Sequence, residues 1–191
     1  MKIYRPLPIN KEIKIDAKTF IVSKTDYKGN IIYSNDAFAK ITGYTQSETI
    51  GQSHNIVRHP DMPKVVFFLM WKRLKEGKNI QALVKNLAKS GKYYWVSTDF
   101  EIHQDTPDSK PTYIAYRRSV SEDAIEEIQP LYETLLELEK SHGLEASLLY
   151  LQGYLDERHL TFDAYMSNVL KPKGLIAIIF NKMKSTLLHA A

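Results

Sequence analysis

The run His54-Asn55-Ile56-Val57-Arg58-His59-Pro60-Asp61-Met62-Pro63 gathers two histidines, an arginine, an aspartate and two prolines just ahead of an apolar segment that carries Trp71. Two prolines so close together cannot sit inside one regular helix, because each lacks a backbone donor. The run must therefore be a turn that presents Arg58, His59 and Asp61 at the mouth of a helix. A helix start carries free N–H groups and the positive end of the dipole, which suits an anionic or hydrogen-bonding ligand. A second reading stays open, in which Asp61 caps the helix and the other side chains are solvated.

Asn86 is the sharpest single candidate elsewhere. It falls in phase with Ala82 and Val84 on the inward face of an expected strand. A buried amide left unpaired costs about 1–3 kcal/mol, so Asn86 needs a ligand edge or a neighbouring loop to bond. Asn35 opens an Asn-Asp-Ala-Phe segment and either caps a short helix or faces a pocket. Trp71 is either a pocket wall or a core aromatic. Tyr94 and Trp95 are neighbours on one strand, so only one can face inward. The other would lie on the opposite sheet face and serve as a signalling surface. Cysteine is absent, which removes disulfides, cysteine-ligated metals and a cysteinyl-flavin adduct. No His-Glu-x-x-His, Gly-rich phosphate loop, serine triad or kinase signature is present.

The elements that must hold these residues read as follows. Phe20–Asp26 and Ile31–Ser34 are strands joined through Lys28-Gly29-Asn30. Short helices follow, from Asn35 or Asp36 to Ile41 and over Ser47–Gly51. Pro63–Glu76 has helical spacing, with proline in its first turn. Ile80–Leu87, Tyr93–His103 and Thr112–Val120 complete five strands, which predicts an α+β sheet with one covered face. Ala124–Ser141, Glu145–Leu155, Thr161–Val169 and Leu175–Leu188 are expected helices, with Pro130 bending the first or beginning a new one. The expected division is an N-terminal arm over 1–17, an α+β domain over 18–121 and a helical region over 122–191 that serves docking or dimerisation. Residues 1–120 hold 20 Lys and Arg against 11 Asp and Glu, and residues 121–191 hold 6 against 11. The basic half has scattered lysines and no nucleic-acid motif, so nucleic acid is not an expected partner. No apolar run approaches the roughly 20 residues that span a bilayer, and the start lacks a secretory signal, so the chain is expected to be cytoplasmic.

The order Asn35-Asp36-Ala37-Phe38, Ile41-Thr42-Gly43-Tyr44, Val84-Lys85-Asn86, Tyr93-Tyr94-Trp95-Val96 and Tyr113-Ile114-Ala115-Tyr116-Arg117 resembles a PAS sensor domain. The Val57–Pro63 run resembles the flavin-binding PAS domain of bacterial aerotaxis receptors, and the resemblance covers roughly residues 15–135. It implies a PAS fold, in which a five-stranded antiparallel sheet and short helices enclose a cofactor cavity. It also implies FAD as cofactor, with Arg58 and His59 at the pyrophosphate or adenine side and Asp61 fixing their geometry. Asn86 would then line the ring pocket, and Trp71 and Asn35 would stand at its wall. Such a chain is a redox or oxygen sensor for energy taxis, not an enzyme. Its partner would be a membrane-bound chemotaxis receptor or signalling protein, holding it near the inner face of the membrane, and a homodimer is a further expectation. One departure from the pattern is at Ile80, where these domains carry a tryptophan, so aromatic stacking on the cofactor should be lost. Competing occupants are heme b, with an axial ligand from His54, His59 or His103, and no cofactor at all, in a module that only binds proteins.

Overall fold

The computed structural model describes residues 5–171. The expected helix over Leu175–Leu188 lies outside the described residues. Strands β1 (Ile21–Thr25) and β2 (Ile31–Ser34) form a hairpin closed at Gly29, which holds φ +85°. Helix α1 (Asp36–Thr42) begins at Asn35 and stops at a left-handed Gly43. Helix α2 (Gln46–Thr49) starts on a capping box made by Thr45 and Glu48. A 3-10 turn over His54–Val57 and an extended Arg58 lead to α3 (Lys64–Lys75). Then come β3 (Ile80–Leu87), β4 (Tyr93–His103) and β5 (Thr112–Arg118). Two helical runs follow, α4 (Glu122–Asp156), which is two helices joined at Gly143, and α5 (Phe162–Leu170).

The sheet order is β2-β1-β5-β4-β3, and every neighbouring pair is antiparallel. Both termini of the strand series therefore meet at the sheet centre, and the connection from β2 to β3 runs through all the short helices on one face. This is the expected α+β class, and one particular differs. Strand β1 alternates buried and half-buried residues, as a sheet with one wet face should. Strand β3 is buried at six of its eight positions, because both of its faces are covered.

The second cover is α4. Tyr132 stacks on Trp95 with ring centres 6.4 Å apart, and its hydroxyl donates to the Leu83 carbonyl at 2.8 Å. Trp95 does lie opposite Tyr94, but it is only 6% exposed. The opposite face of the sheet is thus covered by the chain's own helix. One continuous apolar cluster runs from Phe38 and Val65 through Leu83 and Trp95 to Leu135, Leu151 and Met166. The helical backbone passes through Pro130, and the break comes at Gly143, whose φ 84° and ψ 178° are open to glycine alone. The N-terminal strip is seated as well: Ile9 and Ile13 donate to the Gly91 and Tyr93 carbonyls at 2.8 and 2.7 Å.

Candidate functional site

Between the sheet and α3 lies a hollow lined by Ser23 and Thr25 of β1, Val84 and Asn86 of β3, Thr98 and Phe100 of β4, and Tyr113, Ala115 and Arg117 of β5. Its other wall is Phe67, Met70, Trp71 and Leu74 of α3, with His54, Asn55 and Arg58 from the preceding turn. The cavity itself is about 60 Å³, and counting the space open to solvent at its mouth raises this to about 610 Å³. The hollow is a slot between helix and sheet. Alternation along four strands puts these side chains on one face, and three- and four-residue spacing puts Phe67, Met70, Trp71 and Leu74 on one side of α3.

Two polar atoms in this wall have no partner. The Asn86 Nδ2 and the Thr98 Oγ1 are buried and make no hydrogen bond, although Asn86 is 3% exposed and Thr98 0%. The loop reading for Asn86 fails for the side chain, since only its backbone pairs with Arg58. Arg117 is stranger still. It is 3% exposed, and its guanidinium donates to the Ser23 hydroxyl (3.0 Å), the Ala115 carbonyl (3.3 Å) and His54 Nε2 (2.8 Å). No carboxylate among the described residues pairs with it. Burial pulls its pKa down to about 10, yet at neutral pH the charge persists, and a buried charge without a counter-charge is costly. Because arginine can only donate, His54 Nε2 accepts and the imidazole is neutral. Burial, and then the Arg117 charge, hold the His54 pKa down near 3.

The residues of the Arg58–Asp61 run separate. Arg58 lines the slot at its mouth. Its guanidinium lies 4.2 Å from the centre of the Phe67 ring and donates to the Met62 carbonyl at 3.0 Å. His59 turns away from the slot, packs edge-on against Tyr93 at 6.0 Å and is 3% exposed. The Asp61 backbone N–H donates to His59 Nδ1 at 3.1 Å, so that nitrogen is an acceptor. Burial pushes the ring's pKa down to about 4, the nearby Lys85 charge pushes in the same direction, and the ring is neutral. Burial opposes the Asp61 carboxylate, but Lys85 at 2.7 Å holds it below the usual range. Asp61 thus orients His59 and anchors Lys85 on the outer sheet face, and it does not touch Arg58. Neither His59 nor Asp61 lines the slot: His59 lies on an outer groove beside Arg58 and Arg5, the place that a pyrophosphate or adenine would take, and Asp61 fixes its ring. Asn35 is also outside the slot. Its Oδ1 accepts from Phe38 and Val22 and its Nδ2 donates to the Phe20 carbonyl, so every polar atom is spent on joining α1 to β1.

Trp71 is a wall of the slot, edge-on to Tyr113 with ring centres 5.4 Å apart. With Phe67, Phe100 and Tyr113 it supplies aromatic surface that compensates for Ile80, which is buried beside Met70, Leu74 and Tyr113. Sequence reading missed Thr98, Tyr113 and Arg117 as wall residues. Strand phase could have found Arg117, which shares a face with Tyr113 and Ala115. Heme has little support from this geometry. His54 Nε2 is occupied by Arg117, His59 faces away, and His103 is outside the slot beside Asp105.

A family model described as PAS fold matches residues 31–116. The aerotaxis receptor of Escherichia coli (strain K12) is 36% identical over 137 residues, which is 72% of this chain and 27% of that protein. The chain carries a PAS fold over residues 31–116. The bacterioopsin transcriptional activator of Halobacterium salinarum (strain ATCC 700922 / JCM 11081 / NRC-1) is 28% identical to this PAS chain over 102 residues, 53% of the chain and 15% of the relative. The chain therefore spans about a quarter or less of the length of these relatives. Among solved structures, a light-oxygen-voltage domain studied with a flavin analogue superposes with a TM-score of 0.50 at 23% identity, covering 60% of this chain and 86% of that one. That likeness speaks for the fold. No helix among the described residues is long and apolar enough to cross a membrane.

Proposed function

We propose that this PAS chain binds FAD non-covalently in the slot and reports the redox state of the flavin to a chemotaxis-type signalling partner, as a cytoplasmic energy-taxis sensor and not as an enzyme. The observation that carries the reading is the polar wall: an orphaned Asn86 amide, an orphaned Thr98 hydroxyl and a carboxylate-free Arg117 around an otherwise apolar space. A tricyclic ring with apolar faces and a polar edge meets that pattern. A bound flavin would supply reversible electron transfer. The chain's own part is to hold the ring between α3 and the sheet, to offer donors from Asn86 and Arg117, and to keep the neutral His54 fixed against Arg117. Arg58 and Asn55 stand both in the slot and in an outer groove shared with Arg5 and Lys64. This cationic exit suits a diphosphate tail and favours FAD over a shorter flavin. The likeness to the aerotaxis receptor supports the energy-taxis assignment.

Purified protein tests the reading directly. Expected are visible flavin bands and release of FAD, separated from FMN by chromatography after denaturation. A colourless preparation after expression with ample riboflavin overturns it in favour of a cofactor-free interaction module, and a Soret band overturns it in favour of heme.

A further inference from the structure

Helix α3 forms the slot's inner wall, yet its own sequence does not cap it. Pro63 precedes it and offers no side-chain hydrogen bond. The first free N–H groups are satisfied from far along the chain. Glu139 of α4 accepts from Lys64 N at 2.8 Å with one carboxylate oxygen and from Val65 N at 2.7 Å with the other. A carboxylate at a helix start is favoured by both the unpaired donors and the dipole. The far end of α3 is gripped too. Arg73 pairs with Asp163 in the first turn of α5. Between these two grips, the same helix turns Phe67, Met70, Trp71 and Leu74 toward the slot.

We propose that α3 is the lever through which the slot governs the C-terminal helices, with Glu139 as the clamp that transmits its movement to α4. The role of the slot rests on the flavin reading above. The clamp itself rests on the two Glu139 contacts. Arg58 adds to the coupling, because it lies over Phe67 on α3 at 4.2 Å and shares the outer groove with Leu136 and Glu139. A ligand that pushes on Phe67 or Trp71 tilts or steadies α3, and the carboxylate then tightens or loses its two N–H partners.

Hydrogen exchange read by mass spectrometry on the full chain tests this, with and without added FAD. In the wild type, FAD should slow exchange at least tenfold both in the body of α3, residues 68–75, and in residues 136–143 of α4. Glu139→Ala, brought to saturation with FAD as judged by its flavin absorbance, should keep the α3 protection, while the α4 protection disappears. Glu139→Gln, which retains an acceptor oxygen, should recover part of it. Asp163→Asn should loosen α5 and leave the α4 response in place. FAD-dependent protection of α4 that survives in Glu139→Ala overturns the proposal, as does protection that stops at α3 in the wild type. If no flavin binds at all, the flavin reading fails separately. The clamp is then judged in the empty protein, where Glu139→Ala must speed exchange at Lys64, Val65 and residues 136–143 at least tenfold, and unchanged exchange overturns it.

Discussion

Asn86 and Arg117 carry the cost of an unfilled wall. An orphaned buried amide costs about 1–3 kcal/mol, and that cost is recovered only when a ligand supplies an acceptor. Asn86→Ala should therefore leave the melting temperature of the empty protein unchanged or higher, while flavin affinity falls about tenfold, equivalent to ~1.4 kcal/mol. Thermal melts and a flavin titration on the same variant separate the two effects, and a fall in both would make Asn86 a structural residue. Acid behaviour follows from two histidines held neutral, the part-buried His54 and the buried His59. The pKa of His54 drops from 6.5 to about 3 on folding and that of His59 from 6.5 to about 4. The folded state keeps both neutral, whereas the unfolded chain takes up protons below pH 6.5, so stability rises with pH across this window. Stability should fall as pH drops from about 6.5 towards 4, by up to ~1.4 kcal/mol per pH unit for each histidine. Denaturant midpoints measured from pH 7 to 4 check this, and His59→Phe, if it packs, should flatten the slope. These residue-scale facts were only partly legible in the sequence. The phase of β3 pointed Asn86 inward. Nothing in the order of letters says that Arg117 lacks a carboxylate, because that depends on every neighbour around it.

At the scale of elements, turns and caps explain most of the chain's order. Asn35, Thr45, Ser121 and Thr161 each accept a backbone N–H at a helix start, a local signal that sequence reading uses well. Gly91 has a different duty. It holds φ +82°, and a Cβ there would stand 2.5 Å from the Leu7 carbonyl oxygen. The N-terminal strip crosses the β3–β4 hairpin at that point. Gly91→Ala should cost about 1–2 kcal/mol for the left-handed backbone and should expel the strip. A lower melting temperature together with faster proteolysis before residue 14 is the expected outcome, and unchanged protection of the strip would contradict it. The composition of the arm showed only polarity and two prolines. Its seat depends on a hairpin some eighty residues away.

For the whole molecule, the continuous apolar cluster joins the sheet to α4 and α5, so sheet and helices share one core. Far-UV circular dichroism, weighted to the helices, and fluorescence of Trp71 and Trp95 should then give coincident denaturant transitions. Midpoints that differ beyond error would mean that the helical region unfolds by itself. The sequence alone determined the strands, the short helices, the PAS resemblance and the inward face of Asn86, because alternation, turn residues and caps act over a few positions. Only the tertiary structure decided that His59 and Asp61 leave the slot, that Asn35 is wholly consumed in a cap, that Trp95 is covered by Tyr132, and that Glu139 closes α3. The physical reason is range. A side chain's direction is set by its own backbone, but its partner is set by whichever distant segment packs there, and the pairing of residues 64 and 139 leaves no trace in either neighbourhood.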